Sequence, residues 1–220
     1  RNTQQEARPN QPGFFVHEGS VGASRLAMVV NDDAGCLTPS GAWASIVGTP
    51  PGACSLLQGL AFTGADYKSP GALDYVNFLR ATQMCTNDVR EKAIAFERAV
   101  FNVAFNNRDD HPKNFAYIMS QEGQWKLSPA YDVTFCEGPG GYHQMDVMGE
   151  ALCITRKHLL ALGTEEAELS AHEAADTIDR ICQVASGFTA RARQLHPGRI
   201  TQDTLRTIQS RIDDNIRALR

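Results

Sequence analysis

Apolar residues recur at helical spacing from residue 70 onward, and this pattern predicts a predominantly helical chain. Ser69 and Pro70 are typical of an N-cap and a first helical residue, and three apolar positions follow on one face, Leu73, Val76 and Leu79. Thr86 is predicted to cap a longer helix that ends near Asn106 and carries apolar residues three and four apart, Val89, Ala93, Phe96, Val100 and Val103.

The centre of the chain predicts a β-hairpin between two polar segments. Residues 115–119 and 125–127 are apolar and flank a polar, glycine-containing turn at 121–124. Polar residues precede the hairpin at 108–114 and follow it at 128–132. Because polar groups are concentrated between apolar elements here, we expect this part of the chain to carry the chemistry.

The last third of the chain predicts helices again. One helix is expected over 155–162, with Gly163 as its C-cap. Ser170 and Glu173 form a capping-box pattern that opens another helix, and Pro197 breaks the helical pattern. The final helix is amphipathic, with apolar positions at Leu205, Ile208, Ile212, Ile216 and Leu219.

Residues 1–68 form the least regular segment, and residues 69–220 form the predicted helical lobe. Between residues 35 and 71, eleven of thirty-seven residues are Gly or Pro, a density that disfavours long helices. Within this region, 25–30 is a candidate strand and 54–62 a candidate helix. We expect mostly loops around a few short elements.

Composition narrows the functional classes. The chain has 220 residues and a net charge of −4, which disfavours binding to nucleic acid mainly by charge. It contains no apolar run long enough to span a bilayer, and because the sequence opens on a polar stretch we expect no signal peptide. Six scattered cysteines without a C-x-x-C pair indicate reduced thiols rather than a zinc site, and we expect a cytoplasmic protein with no membrane partner.

Three polar residues have the spacing that phosphoryl transfer requires. Kinases take a catalytic base and a magnesium ligand from one loop, as Asp and Asn five positions apart, and a second metal-binding Asp after a short hairpin. Asp109 and Asn114 have this separation, and the predicted hairpin leads to Asp132. The order of these residues therefore predicts an enzyme that uses ATP and Mg²⁺.

The same residues carry a resemblance to a known family. Segments 107–115 and 125–134 resemble the signature of HipA-family kinases, the serine/threonine kinase toxins of bacterial toxin–antitoxin systems. Segments 143–149 and 155–159 also fit, so that the resemblance covers residues 70–195. The loop from Asp109 to Asn114 is also similar to that of phosphatidylinositol kinases, which share this atypical kinase architecture.

The resemblance implies an α+β, predominantly α-helical fold: an atypical protein-kinase-like C-lobe with a small β-hairpin. It implies Asp109 as catalytic base, and Asn114 and Asp132 as ligands of the Mg²⁺ that ATP brings. His111 is expected to organise the loop, and Lys113 to lie near the transferred phosphate. The implied partners are a protein substrate in translation, such as an aminoacyl-tRNA synthetase, and a helix-turn-helix antitoxin through which the protein contacts DNA only indirectly.

One feature departs from the family. Its N-lobe is rich in β-structure and grips the nucleotide with a lysine, whereas residues 1–68 contain only Lys68. Segment 18–24 contains a Gly-x-x-Gly that is either a remnant of a phosphate loop or an ordinary turn. We therefore expect a missing or incomplete N-lobe and, if these residues are the whole protein, weak ATP turnover or none.

Two alternatives to a protein kinase stay open at this point. A lobe without its nucleotide clamp is suited to be an antitoxin-binding or scaffold module. The phosphatidylinositol-kinase-like loop also allows a lipid or small-molecule kinase, although the chain has no basic amphipathic helix that would favour a membrane substrate.

Overall fold

The computed structural model describes residues 73–120 and 122–220 in full, and three short strands outside these ranges by their backbone alone. The strands are β1 (Gly13–Phe15), β2 (Met28–Val30), β3 (Ala53–Ser55), β4 (Ala116–Met119) and β5 (Trp125–Leu127). The helices in the described ranges are α1 (Tyr75–Thr86), α2 (Val89–Ala104), α3 (Arg156–Ala161), α4 (Ala171–Ser186), α5 (Phe188–Leu195) and α6 (Gln202–Leu219).

Helix α2 is the centre of the described helices. It packs against α1, α4 and α6 and also touches β5. The helix is buried on most of its circumference, as its wide apolar stripe predicts. The apolar stripe of α6 also faces this core. All five of its predicted positions are buried: Leu205, Ile208, Ile212, Ile216 and Leu219.

The predicted hairpin is confirmed as β4 and β5, which pair antiparallel with Tyr117 opposite Leu127. Strand β3 pairs with the other edge of β4, with Cys54 opposite Tyr117. The prediction of a helix over 54–62 is therefore wrong at Cys54 and Ser55, because the open edge of β4 offers backbone partners that outweigh local propensity. Residues 56–62 lie outside the described residues.

In the segment 25–30, residues Met28–Val30 form β2, which pairs antiparallel with β1. The strand prediction is therefore confirmed for these three residues. Residues 25–27 lie outside the part of the chain that the structure describes.

The starts of α1 and α2 differ from the prediction. Helix α1 begins at Tyr75 because the Asp74 side chain accepts a hydrogen bond from the Val76 amide and forms a reciprocal capping box with Asn77. Ser69 and Pro70, the predicted start, lie outside the described residues, and Leu73 precedes the helix. Thr86 is the last residue of α1, and Asp88 caps α2.

The C-terminal helices follow the predicted caps with one exception. Thr155 precedes α3, and the Ser170–Glu173 capping box opens α4 as predicted. The C-cap prediction for Gly163 is wrong, because α3 continues into a π-helical turn over Leu162–Glu166. A Cβ atom added at Gly163 would lie 2.7 Å from the Ala174 Cβ, so glycine permits close packing there rather than ending a helix.

Two further observations are limited to the described residues. None of their helices is both long and apolar enough to cross a membrane. Cys153 and Cys182 are free thiols.

Candidate active site

The site is built on the loop that follows α2, residues 106–114, here called the site loop. Helix α2 ends at Ala104, and Asn106 turns the chain with a φ of 57°, a conformation that asparagine tolerates better than most residues. The Asn106 carbonyl accepts the Cys136 amide at 3.0 Å, and the Asn106 side-chain amide donates to the Cys136 carbonyl at 3.0 Å. These bonds hold the start of the site loop against the segment that follows Asp132.

Asp110 is the buried anchor of the site loop, with 1% of its surface exposed. One carboxylate oxygen accepts hydrogen bonds from the Tyr75 hydroxyl and from His143 Nδ1, each at 2.8 Å. The other accepts the Gln144 amide at 2.8 Å and the Met145 amide at 3.4 Å. A buried carboxylate is stable only when its oxygens are hydrogen-bonded, and here four donors serve that purpose.

The bonds to Asp110 continue into α2. The Tyr75 hydroxyl also accepts a hydrogen bond from the Asn102 side-chain amide at 2.9 Å, and Asn102 accepts one from Asn107 at 3.0 Å. Burial and the nearby Asp110 carboxylate raise the pKa of Tyr75 well above its ordinary value, so that Tyr75 stays a donor. The result is a rigid polar core beneath the site loop.

Asp109 lies beside this anchor but points to a different environment. Its side chain accepts a hydrogen bond from Gln144 Nε2 at 2.9 Å, and it is only partly buried. The pKa of Asp109 is raised to about 6. Partial burial is the largest cause, the Lys113 charge opposes it, and the Asp132 and Asp110 carboxylates add to it. Asp109 is therefore a carboxylate with enhanced proton affinity that is still ionised at neutral pH, which suits a general base.

The rest of the site loop forms a single 3₁₀ turn, Pro112–Asn114. His111 precedes it and caps it, because its Nδ1 accepts the Lys113 amide at 3.1 Å. Asn114 Nδ2 donates to the Asp109 carbonyl oxygen at 2.9 Å, which closes the loop on itself. The Lys113 side chain is exposed, and the Lys113 carbonyl accepts the Tyr131 hydroxyl at 2.8 Å.

Asp132 lies in the segment that follows β5, the second strand of the hairpin. It is exposed and has a φ of 52°, a left-handed conformation that aspartate adopts at modest cost. The segment before it is fixed from below by the buried Arg98, whose guanidinium donates to the Ser128 carbonyl. Burial lowers the pKa of Arg98 to about 10, so the side chain remains a cation beneath the segment that leads to Asp132.

A small pocket of about 20 Å³ opens between these elements, and Asn114, Asp132 and Asp110 all line it. Two buried polar atoms in its wall, Asn107 Oδ1 and Arg98 Nε, have no hydrogen-bond partner in the described part of the chain. Unsatisfied buried polar atoms are rare in folded proteins and often mark a place for water, an ion or a ligand.

The donor set in this pocket fits Mg²⁺ accompanied by a nucleotide. Asn114 uses its Nδ2 within the loop, which leaves its Oδ1 available, and the Asp132 carboxylate accepts no hydrogen bond from the described residues. The described residues contain no group of three His, Cys, Asp or Glu side chains suited to hold a metal. Mg²⁺ commonly takes one or two protein oxygens and completes its shell with phosphates and water, and two oxygens are what the pocket offers.

The structure brings together the residues that spacing alone had associated. Asp109 and Asn114 lie in one short loop, Asn114 and Asp132 line one pocket, and Lys113 acts electrostatically on Asp109. Two residues of the site were missed, Asp110 and Gln144. The only sequence signal for Asp110 was its place next to Asp109, and nothing near Gln144 in the sequence indicates that it meets the site loop 34 residues away.

His143 belongs to the segment 143–149, which carries part of the resemblance. It is 4% exposed, and its Nδ1 is bonded to Asp110. A carboxylate partner for its Nδ1 fixes the orientation of the ring.

Comparisons with known proteins agree with this architecture. The structure is similar to a chain in the complex of the Shewanella oneidensis MR-1 toxin–antitoxin proteins HipA and HipB with operator DNA, with a TM-score of 0.57 and 17% sequence identity. The match covers 67% of this chain and 36% of that one, so the chain spans about a third of its length. It shows the fold, and it confirms the predicted class, a predominantly helical kinase-like lobe with a small antiparallel sheet.

Sequence comparison gives the family. No curated protein matches the chain. A family model described as the HipA-like C-terminal domain matches residues 52–188, which is more than half of the chain. The chain belongs to the family of HipA-like C-terminal domains.

Proposed function

We propose that the chain is the catalytic lobe of a serine/threonine protein kinase of a HipA-type toxin–antitoxin system. In this proposal it serves the Mg²⁺-dependent transfer of the γ-phosphoryl group of ATP to a protein hydroxyl. The observation that carries the proposal is the arrangement of three side chains: a partly buried Asp109 oriented by Gln144, next to a pocket lined by Asn114 and Asp132.

Asp109 is proposed as the base that accepts the proton of the attacking hydroxyl. Gln144 donates to Asp109 Oδ1 and leaves Oδ2 for that hydroxyl. The carboxylate is ionised at neutral pH, yet its pKa of about 6 gives it more affinity for a proton than an ordinary aspartate has.

Asn114 and Asp132 are proposed to hold Mg²⁺ through the Asn114 Oδ1 atom and the Asp132 carboxylate. When bound, the metal neutralises the charge on the nucleotide phosphates during transfer. Tyr131 helps to place both ligands, because it precedes Asp132 and donates to the carbonyl of Lys113, the residue before Asn114. This bond ties the two metal-binding segments together.

The other two loop residues have supporting roles in the proposal. His111 keeps the 3₁₀ turn in shape through its bond to the Lys113 amide. The exposed Lys113 side chain is proposed to approach the transferred phosphate, where a lysine acts as a positive point charge.

The partners are proposed by analogy with the structural neighbour. That neighbour is HipA in a complex with HipB and operator DNA, and on this basis we propose an antitoxin partner that links the protein to DNA indirectly. A translation-related protein, such as an aminoacyl-tRNA synthetase, is the proposed substrate.

Phosphoryl transfer by the full-length natural protein tests the proposal. With γ-labelled ATP, Mg²⁺ and a cell extract as the source of acceptor proteins, we expect label on serine or threonine of one or a few proteins. Asp109→Asn should lower the rate about 10²- to 10⁴-fold, because a positioned base contributes that much. Label transfer that is equally fast with Asp109→Asn, or none with the unaltered protein, would contradict the proposal.

A further inference from the structure

A second pocket lies beside the site loop and shares no lining residue with the pocket of Asn114 and Asp132. This lateral pocket is open to solvent and has a volume of about 210 Å³ between the site loop, the segment 152–155 and the end of α6. Its wall is partly apolar, with Val103, Ile154 and Ala218, and partly polar, with Arg108 and His143 as its two nitrogen-rich side chains. The proposed reaction gives this pocket no role.

Arg108 presents a fixed positive charge to the lateral pocket. Its Nε donates to Asn106 Oδ1 at 3.1 Å, and its Nη1 donates to the Gly141 carbonyl. These two bonds fix the plane of the guanidinium, while Nη2 donates to no acceptor among the described residues. A guanidinium held in this way is prepared to bind an oxyanion, because little conformational entropy remains to be lost.

His143 offers a second nitrogen to the same space. Its Nδ1 is bonded to the buried Asp110 carboxylate, which can only accept, so Nδ1 carries a hydrogen. Nε2 has no partner in the described part of the chain, and the ring is 4% exposed. Nε2 is therefore the ring nitrogen that remains for a group bound in the pocket.

Two residues that line the lateral pocket are sequence neighbours of the proposed base and of the residue that orients it. Arg108 immediately precedes Asp109 in the site loop. His143 immediately precedes Gln144, whose side chain donates to Asp109 Oδ1 at 2.9 Å. An anion bound by Arg108 and His143 is therefore held by the residues that directly precede the proposed base and the residue that orients it.

The rim of the pocket has the character of a surface that binds polypeptide. Tyr142 and Leu152 are 49% and 41% exposed, respectively, although both are large and apolar. Tyr142 directly follows the turn Pro139–Gly141 in the sequence. Leu152 lies next to the same turn, since a Cβ added at Gly141 would be 3.4 Å from Leu152 Cδ1 and 3.3 Å from Arg108 Nη1. Exposed aromatic and aliphatic side chains around a charged centre are typical of protein recognition, whereas a small anion needs no such rim.

We propose that the lateral pocket binds the carboxylate of an acidic side chain on the polypeptide that presents its hydroxyl to Asp109. Arg108 and His143 bind the carboxylate, and Tyr142 and Leu152 contact the neighbouring residues of that polypeptide. The proposal rests on the proposed kinase function and adds to it a preference for acidic residues close to the phosphorylated serine or threonine.

The exposed Cys153 thiol lines the pocket and provides a reporter that needs neither ATP nor turnover. Iodoacetate and iodoacetamide alkylate the same thiol, but only iodoacetate is an anion. We expect the ratio of their rates at Cys153, measured by peptide mass spectrometry, to be about threefold or more above the ratio in the same chain unfolded in urea. The excess should disappear at 1 M salt. A ratio equal to or below that of the unfolded chain would overturn the proposal without the use of any variant.

Variants locate the charge responsible for the effect. Arg108→Gln should bring the ratio close to the unfolded value, whereas Arg108→Lys should keep most of it. Arg191→Gln, which removes an exposed arginine charge outside the pocket, is the matched control and should leave the ratio unchanged. An equal excess in Arg108→Gln, when circular dichroism shows that variant to be folded, would contradict the assignment.

Two peptide pools test the polypeptide part of the proposal. Both contain a central serine and random neighbours, with several positions occupied by glutamate in one pool and by glutamine in the other. The glutamate pool should slow alkylation of Cys153 by neutral iodoacetamide, and the glutamine pool should not. Protection by both pools, or by neither, would overturn the proposal. Because the readout is alkylation, a failed kinase assay would remain a separate result.

Discussion

The two sides of the site loop differ in how their polar groups are satisfied. On the side of Asp110, each carboxylate oxygen meets two donors, and the network extends through Tyr75 to Asn102. On the side of Asn114 and Asp132, two buried polar atoms of the pocket wall, Asn107 Oδ1 and Arg98 Nε, have no hydrogen-bond partner among the described residues. One side is complete within the described residues, and the other is complementary to a group outside them.

Within the nine residues of the site loop, we therefore expect Asp110 to stabilise the fold and Asp109 to serve the reaction. A buried, fully bonded carboxylate such as Asp110 stabilises the fold, and its loss leaves several donors unsatisfied. A partly buried carboxylate with a raised pKa, such as Asp109, costs stability that the fold supplies elsewhere, as is usual for active sites. Two adjacent aspartates should therefore respond to substitution in opposite ways.

The largest effect on stability is expected at Asp110. Asp110→Asn removes a buried carboxylate that accepts four hydrogen bonds. The new side-chain NH₂ group is itself a donor and faces donors, so the free energy of unfolding should fall by about 3 kcal/mol. Urea denaturation followed by tryptophan fluorescence measures this loss. The matched control is Asp109→Asn, which should not lower the free energy of unfolding. An equal loss of that free energy in the two variants would contradict the comparison.

The second effect is on turnover, at Gln144. Gln144→Ala removes the bond that orients Asp109 and should lower kcat of the full-length protein about tenfold, the value of one hydrogen bond to a charged group. The affinity for Mg²⁺-ATP should not change, because Gln144 does not line the pocket of Asn114 and Asp132. A loss confined to nucleotide affinity would show that Gln144 acts in another way.

The third effect is on pH dependence. Asp109 must be ionised to act as a base, so kcat/KM should rise with pH through about 6 and then level off. Lys113 lowers the pKa of Asp109, and Lys113→Ala should therefore move this rise to higher pH. A rise that stays at the same pH in Lys113→Ala would show that another group titrates.

Stability should depend on pH through the same group. The pKa of folded Asp109 is raised above that of the unfolded chain, so its contribution is present at acidic pH and is lost as the pH rises through about 6. Asp109→Asn should consequently be more stable than the parent chain above pH 6 and no more stable below pH 4. Thermal unfolding at the two pH values measures the difference.

The smallest effect is expected at Asp132. Asp132→Asn keeps the shape of the side chain, and asparagine also tolerates the φ of 52°, so stability should change by no more than about 0.5 kcal/mol. The same urea titration serves here. A loss as large as that of Asp110→Asn would mean that Asp132 belongs to the structural side of the loop.

Local patterns were enough to predict much of the fold. The Ser170–Glu173 capping box and the apolar stripe of α6 depend on residues three and four apart, and the hairpin depends on two short runs around a turn. The start of α1 was not predictable in this way. Asp74 is fixed as N-cap partly by the Gly149 amide, which donates to it at 2.8 Å across 75 residues.

The site was predictable to the same extent and for the same reason. Asp109 and Asn114 are five residues apart and meet within one turn, so their spacing carries the signal. Asp110 meets His143 and Gln144 across 33 and 34 residues, and no local pattern records such a contact. Spacing therefore predicted the residues proposed to act, while Asp110 and Gln144, which hold the site loop and Asp109 in place, came only from the fold.

Calorimetric titration of the chain with ATP in the presence and absence of Mg²⁺ tests the central claim most directly. The account predicts binding that requires Mg²⁺, is lost in Asp132→Asn and in Asn114→Ala, and is retained in Asp109→Asn. Binding that is independent of Mg²⁺, or that survives in Asp132→Asn, would contradict the assignment of Asn114 and Asp132 as the residues that hold the metal.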